Sequence, residues 1–107
     1  MTKGDIVYVN FPFTDLSGVK VRPALVIEVF GLDVVVIFIT SKLHQFDTTT
    51  DLIVEPDFGN RLKVPSVFKA VKILTLSKDL VKAKVGVLDS DNLKLVQQKI
   101  ISGLRLA

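Results

Sequence analysis

The sequence contains no cysteine. That excludes a disulfide framework, a thiolate metal site and cysteine nucleophilic catalysis. Histidine occurs once, as His44, so a multi-histidine metal site is not expected, and no other cofactor is expected either. Long apolar runs are also missing. The longest block, Val34–Ile39, has the length of a strand and falls far below the roughly 20 residues of a membrane span. Met1–Asp5 has no apolar run behind its lysine, so the expectation is a cytoplasmic chain with neither a signal peptide nor a membrane partner. Phosphate-cradling glycine loops, zinc-protease helices and serine-hydrolase elbows are absent. So are repeats, linkers and low-complexity segments.

What is present reads as one domain over residues 1–107, since a single core suits about 100–150 residues. Hydrophobic residues make up 49% of the chain, enough to exclude disorder. Fourteen basic residues against eleven acidic ones leave a net charge of +3, a weak excess whose distribution says more. Residues 61–84 hold Arg61, Lys63, Lys69, Lys72, Lys78, Lys82 and Lys84 against one acid, Asp79. Residues 44–60 hold Asp47, Asp51, Glu55 and Asp57 with no lysine or arginine. Such segregation is consistent with a positive face for nucleic acid, and equally with ordinary solvated lysines.

Periodicity predicts a mainly β chain. Asp5–Phe11 alternates as a strand, with Ile6, Tyr8 and Asn10 on one face, and Pro12 ends it. Thr14–Val21 reads as a loop. Ala24–Val29 and Val34–Thr40 are two strands rich in β-branched residues, buried on both faces and joined at Gly31–Asp33. Asp51–Glu55, Val67–Leu74 and Val85–Leu88 are shorter strand candidates, with a turn cluster at Pro56–Asn60. Ser77 is placed to cap a short helical turn to Val81. Asp89, Ser90 and Asp91 then open an amphipathic helix over 91–102, with Leu93, Val96, Ile100 and Leu104 on its apolar face and Gly103 at its end. The fold expected is α+β, mainly β: a small antiparallel barrel with one closing helix.

Arg22 is the first candidate for chemistry. Pro23 restricts it to extended geometry at the mouth of an apolar strand, and its planar guanidinium suits a phosphate. A structural pairing with Asp15 or Glu28 is the competing reading. Thr40 and Ser41 are the second candidate, because they stand where Val34–Ile39 stops and offer hydroxyl donors. His44 is able to act as a general acid or base near neutral pH, or is simply an exposed loop residue. Phe11, Phe13, Phe46 and Phe58 sit at loop edges where they could stack on bases, whereas Phe30, Phe38 and Phe68 read as core.

Gly4-Asp5-Ile6-Val7, Phe11-Pro12 and Arg22-Pro23-Ala24-Leu25-Val26-Ile27 together resemble the PemK/MazF toxins of type II toxin–antitoxin systems. Phe38-Ile39-Thr40-Ser41 falls where that family has an apolar strand ending in Thr-Ser or Thr-Ala. Ser66-Val67, Lys72-Ile73-Leu74-Thr75 and the C-terminal helix continue the likeness over nearly the whole chain. The resemblance implies an SH3-like barrel that dimerises, cuts single-stranded RNA without a metal, and is blocked by a cognate antitoxin. It implies Arg22 and Thr40 as the catalytic pair, with Phe13, Lys20, Ser41, Lys42 and Lys72 along the RNA.

Arginine effectively does not deprotonate in proteins, so proton transfer would fall to Asp15 or His44. Two departures stand out. Asp15-Leu16-Ser17-Gly18 replaces a loop glutamate common in the family, and Lys72 stands near a customary arginine. Two further readings remain: a CcdB-like protein that poisons gyrase by contact, and a catalytically silent barrel that binds RNA or a partner.

Overall fold

Alternation of β-branched and polar residues produces six strands, because extended backbone sends successive side chains to opposite faces. The computed structural model describes residues 1–11 and 20–107. The strands are β1 Asp5–Phe11, β2 Lys20–Phe30, β3 Asp33–Thr40, β4 Asp51–Val54, β5 Ser66–Ser77 and β6 Val81–Val87. All pair antiparallel in one sheet of order β4-β5-β3-β2-β1-β6. A single helix, α1 Ser90–Gly103, follows. The mainly β architecture with a closing helix is therefore as expected.

Several strands run further than periodicity suggests. β2 starts at Lys20, so Lys20 and Val21 are strand rather than loop. They are held by pairing to Phe11 and Asn10 on β1. β6 starts at Val81, four residues before the expected strand, because Val81 and Ala83 pair with Val9 and Tyr8 of β1, and it carries the exposed Lys82 and Lys84. Lysines on such a sheet edge discourage pairing with another chain. The β2–β3 connection is the two residues Gly31 and Leu32, with Gly31 at φ +50°, the sign that a tight hairpin turn of this twist needs.

Both faces of the sheet's centre are covered. One apolar cluster joins Ile6, Leu25, Ile37, Ile39, Phe68 and Val96, with Leu93 and Ile100 of α1 packed against it. The other joins Val7, Val9, Phe11, Ala24, Val26, Val34, Val36 and Leu76, with Leu80 and Val81 beside it. The alternation Ala24/Leu25/Val26 divides between the two clusters, as a doubly buried strand must. In β1 it is Val7, Val9 and Phe11 that turn to the second cluster, while Tyr8 is exposed and Asn10 half-buried. Phe11 packs edge-on to Phe38 at 4.8 Å between ring centroids, so it is core and not a loop-edge ring. Phe30, expected in the core, is instead exposed at the hairpin tip.

The helix is anchored rather than intrinsically strong, since isolated helices of about 12–15 residues are marginal in water. Asp89 caps it, accepting from the Asn92 backbone N–H at 3.0 Å. Val96 is fully buried and contributes about 1.5–3 kcal/mol. Leu104, assigned to the apolar face by spacing, is exposed because the chain turns off at Arg105 with φ +57°. Ser77 caps the turn Lys78–Leu80 as its position suggests, accepting from the Asp79 N–H at 3.3 Å.

Candidate functional site

A groove of about 390 Å³ opens where β2 and β3 meet the β4–β5 loop. Arg22 and Thr40 both line it. At this end the β2–β3 ladder closes on Ala24 paired with Phe38; Arg22 lies two residues before Ala24 on β2, and Thr40 two residues after Phe38 at the end of β3. Arg22 is exposed at the strand end and pairs along its backbone with Val9 of β1. The Thr40 hydroxyl accepts from the Lys42 backbone N–H at 3.2 Å. That bond fixes the oxygen and leaves its O–H to donate outward. The structural pairing of Arg22 with Glu28 is not what forms: Glu28 bonds Lys3 at 3.2 Å. Its carboxyl is held below the usual range, chiefly by the Val29 N–H and then by Lys3. Asp15 and Phe13 lie outside the described residues.

The groove is cationic. Arg22, Lys42, Arg61, Lys63, Lys69 and Lys72 line it, and its described lining contains no carboxylate. Ser41 and Gln45 add neutral polar groups. Lys20 is exposed at the start of β2 and His44 lies in the short turn Leu43–Gln45; neither belongs to the described lining. Of the cations, Lys69 is committed elsewhere. Its ammonium meets the carboxylate of the buried Asp51 and donates to the Gln45 carbonyl at 2.8 Å. Lys72 owes its exposure to a break in the β3–β5 ladder. Ile37 pairs with Ile73 but Phe38 with Lys69, so residues 70–72 bulge out of register. Bulges of this kind re-aim side chains beside functional sites.

Arg61 and Lys63 were visible in the sequence as part of a basic stretch, but nothing local marked them as groove residues. Their placement depends on Asn60, which is fully buried. Its side-chain oxygen accepts from the Asp57 N–H at 3.0 Å and the Leu62 N–H at 2.9 Å, and its amide donates to the Glu55 carbonyl at 2.9 Å. The loop leans directly on β6 at Gly86. A Cβ there would stand 2.4 Å from the Asn60 carbonyl oxygen. Arg61 takes φ +60°, a conformation costing roughly 1–2 kcal/mol for a non-glycine residue. The surrounding bonds over-determine it.

The acidic stretch 44–60 has a structural use. Asp51 also accepts from the Asp47 N–H at 3.0 Å, and Asp57 from the Asn60 N–H at 2.7 Å. These carboxylates organise the connections flanking the groove without entering it. The arrangement as a whole is able to bind a polyanion, with the Arg22 guanidinium and the Thr40 hydroxyl both on its lining.

Residues 2–104 match the family model of the PemK-like, MazF-like toxin of type II toxin–antitoxin systems. No curated protein sequence gives a significant match. Among solved structures, a mycobacterial endoribonuclease in complex with its cognate antitoxin superposes with a TM-score of 0.80 at 16% identity, over 100% of this chain and 97% of that one. A MazE–MazF structure from Deinococcus radiodurans gives 0.76 at 22% identity, over 100% and 98%. A MazF toxin of Mycobacterium tuberculosis gives 0.77 at 20% identity, over 96% and 98%. At these identities the structural likeness shows the fold.

Proposed function

The chain belongs to the PemK-like, MazF-like toxin family of type II toxin–antitoxin systems, and from that premise we propose that it is an endoribonuclease that cleaves single-stranded RNA without a metal ion. One observation carries the reading: Arg22 and Thr40 both line a groove whose described lining is rich in cations and free of carboxylates. RNA is cut when a ribose 2′-oxygen attacks the adjacent phosphorus and the 5′-oxygen leaves. This yields a 2′,3′-cyclic phosphate and a 5′-hydroxyl. The phosphorane formed on the way carries extra negative charge on its non-bridging oxygens. Preorganised donors aimed at that charge are usually the largest catalytic contribution.

Arg22 supplies two parallel N–H donors on a planar, cationic guanidinium. Thr40 supplies a neutral donor from the opposite strand. The attacking hydroxyl must lose a proton and the leaving oxygen must gain one. Asp15 and His44 are the groups proposed for these transfers. Ser41, Lys42 and Lys72 hold flanking phosphates, and Phe13 and Lys20 extend the contact on the β1–β2 side. Lys72 acts as a point charge where an arginine would offer a fork.

The same groove suits an acidic antitoxin segment that orders on binding. A second copy of the chain is the occupant proposed for the exposed apolar residues Ile53, Leu95 and Ile101, as symmetric association of a small apolar chain favours. The proposed site of action is the cytoplasm. The test is incubation of purified protein with single-stranded RNA in excess chelator, beside Arg22→Ala. Cleavage by the native chain and none by the variant, with growth arrest lost in parallel and circular dichroism unchanged, is the expected result. Full toxicity in Arg22→Ala would end the assignment, and intact RNA with inhibited gyrase would move the protein to the contact-poison class.

A further inference from the structure

Phe58 is the most exposed of the large apolar residues described, at 91%. It lies in the β4–β5 loop, three residues before Arg61. The Arg61 guanidinium carbon stands 5.6 Å from the Phe58 ring centroid, within the range of a cation–π contact. Arg61 lines the groove, whereas Phe58 is not among its lining residues and meets it through Arg61. The ring is therefore tied to the groove through Arg61 and still presents nearly all of its surface.

Single exposed apolar residues need no explanation by themselves. This one differs in how it is held. The loop behind it is fixed by the buried Asn60 amide, by the Val87 N–H donating to the Gly59 carbonyl at 2.9 Å, and by close contact with Gly86. A ring carried on a rigid support loses little freedom when it binds, which is the condition under which an aromatic contact contributes most. The groove it reaches through Arg61 is cationic, with Arg61 and Lys63 among the lining residues. A cationic track beside an aromatic face is the arrangement by which single-stranded nucleic acid is held, phosphates on the charges and a base on the ring.

We infer that Phe58 and Arg61 form a stacking platform for one unpaired nucleobase beside the groove wall that Arg61 lines, and that this contact biases which sequences are cut. The inference rests on the reading of the groove as an RNA site. Phe58 does not touch the reacting phosphate. It positions the strand, so its loss acts on KM and on sequence preference more than on kcat.

The experiment compares the native chain with Phe58→Ala, Phe58→Trp and Arg61→Ala on a randomised single-stranded RNA pool. Cut ends are sequenced, and kcat and KM are measured on one good substrate. Phe58→Ala is expected to raise KM about tenfold, from the loss of one stacked base, with kcat changed less than twofold. It is also expected to flatten base preference at one position, which Phe58→Trp restores. Arg61→Ala is expected to lose both the stacking bias and part of the salt dependence.

Binding of a fluorescent 2′-deoxy oligonucleotide, which has no attacking hydroxyl, reads the platform separately from cleavage. An RNA-inert native chain whose oligonucleotide binding still falls tenfold in Phe58→Ala would retire the cleavage reading and keep the platform. Unchanged KM, cut profile and oligonucleotide binding in Phe58→Ala would overturn the platform while leaving RNA cleavage intact. Loss of self-association or antitoxin binding, with nucleic-acid binding unchanged, would likewise overturn it in favour of a protein contact.

Discussion

The basic stretch 61–84 is divided between two surfaces, and the two differ in what balances their charge. Arg61, Lys63, Lys69 and Lys72 join Arg22 and Lys42 in the groove. Lys78, Lys82 and Lys84 line a smaller depression of about 270 Å³ beside Met1 and β1. The depression contains its own counter-charge: Lys84 bonds the buried Asp5 at 3.3 Å. Among the described residues of the groove, Lys69 alone is matched in this way, by Asp51. A run of lysines in sequence is thus no measure of a binding face. What counts is cations gathered without carboxylates, because unmatched charges within a Debye length of about 8 Å reinforce one another.

The sharpest break in that comparison is a pair of substitutions. Arg22→Ala is expected to lower RNA cleavage by about a hundredfold or more, the scale of losing a donor to a developing oxyanion. Lys82→Ala, in the depression, is expected to change it less than twofold. Equal losses in a gel-based cleavage assay would erase the distinction between the two surfaces.

Asp51→Ala tests the groove cation that the described residues match, Lys69. It leaves the Lys69 ammonium, which is mostly shielded from solvent, without its carboxylate. Breaking such a pair costs about 3–5 kcal/mol, to be read as a fall in Cm in urea. Gly86→Ala acts on the groove through its brace. The new Cβ meets the backbone of Asn60 and Gly59 at 2.4–2.8 Å, and overpacking of this kind costs about 1–3 kcal/mol. Weaker RNA binding should accompany the lower stability, whereas the lysine-lined depression keeps its form.

Salt dependence sharpens the comparison at smaller amplitude. Lys72→Ala should reduce the slope of log Kd against log salt by about 0.7 for single-stranded RNA, and Lys82→Ala should leave it unchanged. The smallest effect belongs to a carboxylate outside both surfaces. Asp89→Ala removes the α1 cap, at about 1 kcal/mol, without altering the salt slope. The Asn92 N–H holds the Asp89 carboxyl below its usual range. A pKa lower in the folded than in the unfolded chain means that this contribution is complete above about pH 4. It is lost as pH falls through the lowered value. Urea titrations of the native chain and Asp89→Ala, run from pH 7 downward, should therefore converge in acid.

Much of the fold was legible because local rules agree. Alternation placed β1, the apolar runs placed β2 and β3, and Asp89 and Gly103 bounded the helix to within a residue or two. The misses have physical causes. β6 runs beyond its sequence signature because an edge strand keeps lysines on its solvent side and so lacks an apolar pattern. Phe11 and Phe30 exchanged roles because closeness to a loop does not say which way a side chain points. Leu104 fitted the helical spacing, yet the helix had ended. Arg22 and Thr40 were legible at the site because each marks a strand end. Arg61 and Lys63 were not, since their position follows from Asn60 and Gly86, twenty-six residues apart.

Sequence alone determined the strand-rich architecture, the capped helix and the candidacy of Arg22 and Thr40. Each depends on periodicity, capping or chain geometry over a few residues. Only the tertiary structure decided which cations share a surface. That depends on pairings far apart in the chain: β3 with β5, Lys69 with Asp51, and the β4–β5 loop with β6. Charge acts through space, so only the folded contacts show whether a basic residue faces a carboxylate or an open groove.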